Sequence, residues 1–239
     1  MNHTNPCPTE FQASSPDELA QQLALTVSDQ LRRAITQRGH ALLAVSGGKS
    51  PIALFQQLRT QPLAWDNVRV LLVDERCVPH DHPDSNTALV RAHLLQDDAA
   101  AARFTPLFDR LPMGLDATAL NALTASANQR LSTLPWPLDV AVLGMGDDGH
   151  TASLFPGAPG LHTALTSAAS MAWVCPVTAP HARLTLTLPT LSAARQLHLS
   201  IAGHSKRAVY RQALSAPTTA LPVSLVLHQH AAPISVWLA

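Results

Sequence analysis

The sequence predicts a single-domain α/β fold: a Rossmann-like, mostly parallel sheet flanked by helices on both faces. Three observations carry this expectation. Apolar runs of strand length at 41–45, 68–73, 139–143, 197–202 and 234–238 alternate with helical patterns. The first runs are apolar nearly throughout, as strands covered on both faces are. Three of the runs pass directly into Gly-bearing or charged stretches at 46–50, 74–76 and 144–150. Carboxyl ends of parallel strands lie on one edge of a sheet, so residues about 100 apart in sequence would line one pocket there.

The chain has 239 residues, enough for one large α/β domain with a substantial core. No repeat or linker divides it, so the whole of 1–239 is taken as one domain. Residues 1–14 read as a loose polar N-terminal arm. Ser15-Pro16-Asp17-Glu18 starts a helix, with Ser as cap and Pro in the first turn. Leu19, Leu23, Val27, Leu31 and Ile35 then form one apolar stripe, and Gly39 ends it. A helix follows Pro51, and another is capped by Ser85 and Asn86. Residues 96–115 are poorly specified, and a helix is expected over 116–131. Segments 172–177 and 183–188 read as strands, and Lys206 begins a helix after Gly203. Residues 157–170 and 222–230 stay undecided.

Composition narrows the function. Apolar residues make up 46% and charged residues 13%, which marks a globular chain. Sixteen basic and sixteen acidic residues cancel, so no bulk charge draws the protein to nucleic acid. No apolar run approaches the roughly 18 residues a membrane span needs. The three cysteines, Cys7, Cys77 and Cys175, are widely spaced, which suits neither a disulfide framework nor a zinc knuckle. A cytoplasmic protein is expected, its oligomeric state open and a monomer compatible.

Ser46-Gly47-Gly48-Lys49-Ser50 joins a strand to a helix. Two glycines let the backbone approach an anion, and the helix end supplies free N–H groups. The stretch is either a phosphate site or an ordinary Gly-rich turn. It is half a P-loop, but Leu43 stands where the full pattern needs glycine. Asp74-Glu75-Arg76 sets two acids beside a guanidinium, as a structural ion pair or as a site for phosphate or an oxyanion. Gly144, Gly146 and Gly149 bend the third loop around Asp147 and Asp148, with His150 directly after. His80, Asp81, His82 and Asp84 are metal-ligand types, but their Pro-bearing loop defines no ligand geometry; a solvated loop and no metal are expected. Arg183 and Lys206, each at the start of an element, are candidates for holding an anion or are plain surface cations.

Together these motifs resemble the 6-phosphogluconolactonase family, within the wider group of glucosamine-6-phosphate deaminases and ribose-5-phosphate isomerases. The matching segments are Ser46-Gly47-Gly48 with Pro51, Asp74-Glu75-Arg76 with Val78-Pro79, and Ser85-Asn86. The run Gly144-Met145-Gly146 through Asp148-Gly149-His150-Thr151-Ala152-Ser153-Leu154-Phe155-Pro156 is the most specific. Arg183-Leu184-Thr185-Leu186-Thr187 and Gly203 with Lys206 complete the series. Lys49-Ser50 departs from the family's Ser-Thr, and the proline-rich run before Arg183 is reduced to Ala179-Pro180-His181-Ala182. Arg76 and the Thr151–Pro156 continuation favour the lactonase over the deaminase branch.

The resemblance implies hydrolysis of 6-phospho-D-glucono-1,5-lactone, a sugar-phosphate lactone, without cofactor or metal. His150 would be the general base, Asp148 its support and Arg76 an aid to the oxyanion. Substrate and phosphate binding would fall to Ser46, Gly47, Gly48, Lys49, Asp74, Glu75, Arg183 and Lys206. The alternatives are a deaminase or isomerase acting on another sugar phosphate, and a non-catalytic sugar-phosphate sensor.

Overall fold

The computed structural model describes residues 8–239. Its strands are β1 (Thr9–Gln12), β2 (Ala41–Val45), β3 (Val68–Leu72), β4 (Asp74–Arg76), β5 (Arg103–Thr105), β6 (Val140–Leu143), β7 (Met171–Val174), β8 (Arg183–Leu186), β9 (Leu197–Ile201) and β10 (Ile234–Leu238). Its helices are α1 (Pro16–Arg38), α2 (Ile52–Leu58), α3 (Asn86–His93), α4 (Ala117–Leu131), α5 (Leu161–Thr166), α6 (Leu188–Ser192), α7 (His204–Ala213) and α8 (Pro222–Leu227).

Seven strands form one sheet in the order β1-β10-β9-β6-β2-β3-β5, with every pair parallel. Every residue of β2 and β6 is buried, which accounts for their unbroken apolar composition. The helix ends follow the expected chemistry. Ser15 Oγ accepts from the Glu18 amide at the start of α1, and Gly39 closes that helix in the left-handed region at φ +77°. Asp116 caps α4 and Ser85 caps α3 in the same way.

Three expectations need correction. The loose arm does not reach residue 14: Thr9–Gln12 is an edge strand beside β10, where Phe11 stacks on Trp237 at 4.3 Å. The part of the arm at residues 1–7, Cys7 included, lies outside the described residues. Asp74–Arg76 is not a loop at the end of β3. It is a strand of a second, antiparallel sheet, β4-β8-β7, in which Arg76 pairs with Arg183 and Asp74 with Thr185. The expected strand over 183–188 stops at Leu186, because Thr187 caps α6 with Pro189 in its first turn. The Asp74–Arg76 stretch therefore reaches the sheet edge from a neighbouring sheet. The undecided segments 157–170 and 222–230 hold the short helices α5 and α8.

Candidate active site

In the large sheet β2 and β6 are neighbours, yet the chain leaves them in opposite directions. From β2 it continues to β3 and β5, and from β6 to β9 and β10. The crevice above such a reversal is where open α/β sheets take ligands. A cavity of about 340 Å³ lies there. Of the expected site residues, Ser46, Gly47, Gly48, Asp74, Arg76, His150, Arg183 and Lys206 line it. Lys49 and Glu75 do not, and Asp148 stands behind His150.

The loop after β6 holds the imidazole. Its closure is local: the Gly146 amide donates to the His150 carbonyl at 2.9 Å, and Thr151 Oγ1 donates to the Gly144 carbonyl at 2.8 Å. A Cβ on Gly146 would lie 2.2 Å from the His150 ring, so no other residue leaves room for the imidazole. Gly149 sits at φ +75°, a conformation glycine adopts freely. His150 Nδ1 is 2.5 Å from Asp148 Oδ1, and the His150 amide donates to the same oxygen at 3.1 Å. A carboxylate on Nδ1 selects the Nδ1–H tautomer and leaves Nε2 as the basic nitrogen. Asp147 faces elsewhere and accepts from Ser205 Oγ at 2.9 Å. The His150 ring stacks on Phe155 at 4.0 Å.

Arg183 packs on the same ring, its guanidinium carbon 4.8 Å from the Phe155 centroid. It is only 6% exposed, and burial works against its charge while Asp74 supports it. Asp74 is also buried; its Oδ2 accepts from Ser153 Oγ at 2.5 Å and stands 4.0 Å from Arg183 Nη1. Arg76 Nη1 donates to the Asp84 carbonyl at 2.6 Å, and this bond fixes the side chain at the cavity wall. Three cations, Arg76, Arg183 and Lys206, thus face the cavity against one buried carboxylate, Asp74. An anionic ligand suits that balance.

The glycines of the β2 loop act differently. A Cβ on Gly47 would fall 1.8 Å from Asn86 Oδ1, whereas Gly48 needs its φ of +87° for the turn into α2. Gly203 precedes α7 without a side-chain cap, and Lys206, in the first turn of that helix, lines the same cavity. The Gly47-Gly48 turn and the Lys206 ammonium thus line one cavity. Lys49 is exposed and does not line the cavity.

Two further site residues are occupied within the protein. The Ser46 hydroxyl donates to the Val142 carbonyl at 3.0 Å and accepts from the Gly144 amide at 3.2 Å, stitching the two main loops together. Glu75 is fully buried outside the cavity. Its carboxylate accepts from the amides of Arg76, Asn86 and Thr87 at 2.7–2.8 Å and from Ser85 Oγ at 3.2 Å. It anchors the start of α3 to β4.

Sequence reasoning did not assign Asn86, Ser153 or Phe155 to the site. Asn86 lines the cavity, donates from Nδ2 to the Asp74 carbonyl at 2.8 Å and has a buried Oδ1 without a protein partner. Its sequence signals were the capping position beside Ser85 and the match of Ser85-Asn86 to the family, neither of which gave it a role in the site. Phe155 and Ser153 lay within the run after His150, but their contacts reach β8 and β4 and carry no local signature. Burial pushes the Cys77 thiol up to about 12, so it is no nucleophile at neutral pH.

Comparison with known proteins identifies the family. A family model described as glucosamine-6-phosphate isomerases/6-phosphogluconolactonase matches residues 14–236. The chain is 47% identical over 225 residues to a 6-phosphogluconolactonase of Mesorhizobium japonicum, covering 93% of this chain and 91% of the relative. It is 46% identical over 205 residues to one of Pseudomonas aeruginosa, covering 84% and 83%. The crystal structure of a 6-phosphogluconolactonase from Shewanella baltica superposes with a TM-score of 0.92 at 40% identity, covering 98% of this chain and 99% of that one. A monomeric glucosamine-6-phosphate deaminase shares the fold at 21% identity and a TM-score of 0.76. The chain therefore belongs to the glucosamine-6-phosphate isomerase/6-phosphogluconolactonase family, on its 6-phosphogluconolactonase side.

Proposed function

We propose that the chain's 6-phosphogluconolactonase activity, the hydrolysis of 6-phospho-D-glucono-1,5-lactone to 6-phospho-D-gluconate, runs by general-base activation of water at His150. The observation that carries this reading is the 2.5 Å contact between His150 Nδ1 and Asp148, which leaves Nε2 as a base on the wall of a cation-lined cavity. A δ-lactone is already an activated ester and needs no protein nucleophile. Ser46, the hydroxyl on the β2 loop, is committed to backbone partners on both sides.

In this mechanism water attacks the lactone carbonyl as Nε2 takes its proton. The imidazolium that forms faces the Asp148 carboxylate, and Arg76 steadies the oxyanion. The tetrahedral intermediate collapses with cleavage of the ring C–O bond, and the imidazolium returns its proton to the departing ring oxygen. Arg183, Lys206 and the Gly47-Gly48 turn hold the 6-phosphate. Asp74, held by Ser153, orients sugar hydroxyls. Base catalysis of this type contributes about 10²–10⁴-fold, and fixing lactone and water together adds to it. No helix among the described residues is long and apolar enough to cross a membrane. A cytoplasmic setting is the companion proposal.

The test generates the lactone in situ with glucose-6-phosphate dehydrogenase and follows 6-phosphogluconate through its own dehydrogenase. The protein is expected to speed the second reduction above the spontaneous rate. No acceleration, or ammonia release from glucosamine 6-phosphate instead, would overturn the reading.

A further inference from the structure

A second group of chemistry-bearing side chains meets outside the cavity. His82, Asp84 and His181 each place one donor atom within 4.8 Å of the other two. His181 Nε2 lies 3.0 Å from Asp84 Oδ2, and His82 Nδ1 lies 3.9 Å from the same oxygen. The two imidazoles meet edge to face with centroids 5.5 Å apart. Sequence alone left the 80–84 loop without a ligand geometry because its third member is 97 residues from Asp84.

The antiparallel pairing of β4 with β8 brings that member in. Arg76 sits opposite Arg183, and the Cys77 amide extends the pairing to the Ala182 carbonyl at 2.8 Å. The segment leaving β4 and the segment entering β8 therefore run side by side, with His181 across from the 80–84 loop. Both sides are held in place. Arg76 Nη1 grips the Asp84 carbonyl, and the Ser85 amide donates to the His82 carbonyl at 2.9 Å. His181 itself takes the left-handed region at φ +70°, an unfavourable backbone for a non-glycine residue, and in that conformation its Nε2 reaches Asp84.

We propose that His82, Asp84 and His181 form a binding site for a borderline divalent transition ion, with Zn²⁺ as the reference. Two imidazole nitrogens and one carboxylate oxygen are a zinc-type donor set, while Mg²⁺ and Ca²⁺ require mostly oxygen. Ligand atoms around a tetrahedral ion with bonds of about 2.1 Å stand roughly 3.4 Å apart. The two separations to Asp84 bracket that value, and the imidazole nitrogens, within 4.8 Å of each other, close on the ion when it binds. Water completes the coordination at this half-exposed place. His82 Nδ1 now accepts the Asp84 amide at 3.1 Å, and an ion bound there releases that amide to solvent. His80 takes no part, since its ring packs on Phe108. Arg76 and Arg183 stand nearby and repel a cation, which makes this an accessory site rather than a permanent structural one. Occupation clips together the two segments that carry these cavity arginines.

The experiment is calorimetric titration of the full-length protein with zinc chloride at pH 7.5, for wild type, His82→Gln, His181→Gln and His150→Asn. The last variant separates this site from the His150–Asp148 pair, an imidazole–carboxylate contact at the cavity. One equivalent is expected to bind, with at least tenfold weaker affinity in His82→Gln and in His181→Gln and unchanged affinity in His150→Asn. Magnesium chloride is expected to give no binding. Circular dichroism establishes that each variant is folded, and Asp84→Asn replaces any that is not. Cobalt(II) supplies a second readout, as an intense tetrahedral visible band present in wild type and lost in the same variants. Absence of zinc binding, wild-type affinity in both histidine variants, or loss in His150→Asn would overturn the proposal.

Discussion

Glu75→Gln distinguishes an anchoring carboxylate from a substrate-binding one. In the structure Glu75 Oε1 accepts the Arg76 and Asn86 amides, and Oε2 accepts the Thr87 amide and the Ser85 hydroxyl. Glutamine is isosteric but keeps only one acceptor oxygen. Turned to satisfy Arg76 and Asn86, its NH₂ group confronts the Thr87 N–H, a donor against a donor. A buried amide left without a partner costs about 1–3 kcal/mol. Removing the negative charge from the N-terminus of α3 costs roughly another 0.3–1 kcal/mol. The sum, about 1.3–4 kcal/mol, corresponds to a fall in Tm of roughly 3–16 °C for a chain of this size. Differential scanning calorimetry measures it, with kcat and KM taken well below the transition. The expected result is a clearly lowered Tm with KM changed only as far as Asn86 shifts. An unchanged Tm with a sharply raised KM would place Glu75 on the substrate and refute the anchoring argument.

Further outcomes follow from the same geometry. Lys206→Met is expected to raise KM about 10–100-fold with kcat nearly constant, as loss of a charged phosphate contact of roughly 1.5–3 kcal/mol requires; a fall in kcat alone would move Lys206 into the chemistry. Asp148→Asn is expected to lower kcat about 10–100-fold with little change in KM, because the forming imidazolium loses its facing charge. His198 lies buried in β9 between Gln30 and the Trp237 indole, and burial lowers its pKa to about 4. It stays neutral in the fold while the unfolded chain takes up its proton below about pH 6.5. Stability is therefore complete above that pH and falls as pH drops toward 4, by about 2 kcal/mol between pH 6.5 and 5. Urea unfolding across that window measures the slope, and His198→Gln should flatten it; an equal slope in the variant would locate the acid sensitivity elsewhere.

Much of the cavity was legible because its turns are written locally. Ser46-Gly47-Gly48 and the Gly144–His150 loop carry their glycines where the backbone bends, and all-apolar β2 and β6 announce a sheet covered on both sides. What escaped depends on long-range pairing. The β4–β8 ribbon joins residues more than 100 apart, so the sequence could neither separate Asp74–Arg76 from the strand before it nor bring His181 to Asp84. Glu75 and Asp74 are adjacent acids of similar type, and only the alternation along β4 sends one to α3 and the other to the cavity. The edge strand Thr9–Gln12 is exposed throughout and joins the sheet through backbone pairing, which leaves no apolar pattern to read.

The central claim concerns His150, and the most direct measurement is the kcat of His150→Asn under the coupled dehydrogenase assay, corrected for spontaneous lactone hydrolysis. The mechanism predicts a loss of about 10²–10⁴-fold with KM nearly unchanged, since the ring takes the proton from water and does not hold the phosphate. Wild-type turnover in this variant would contradict it.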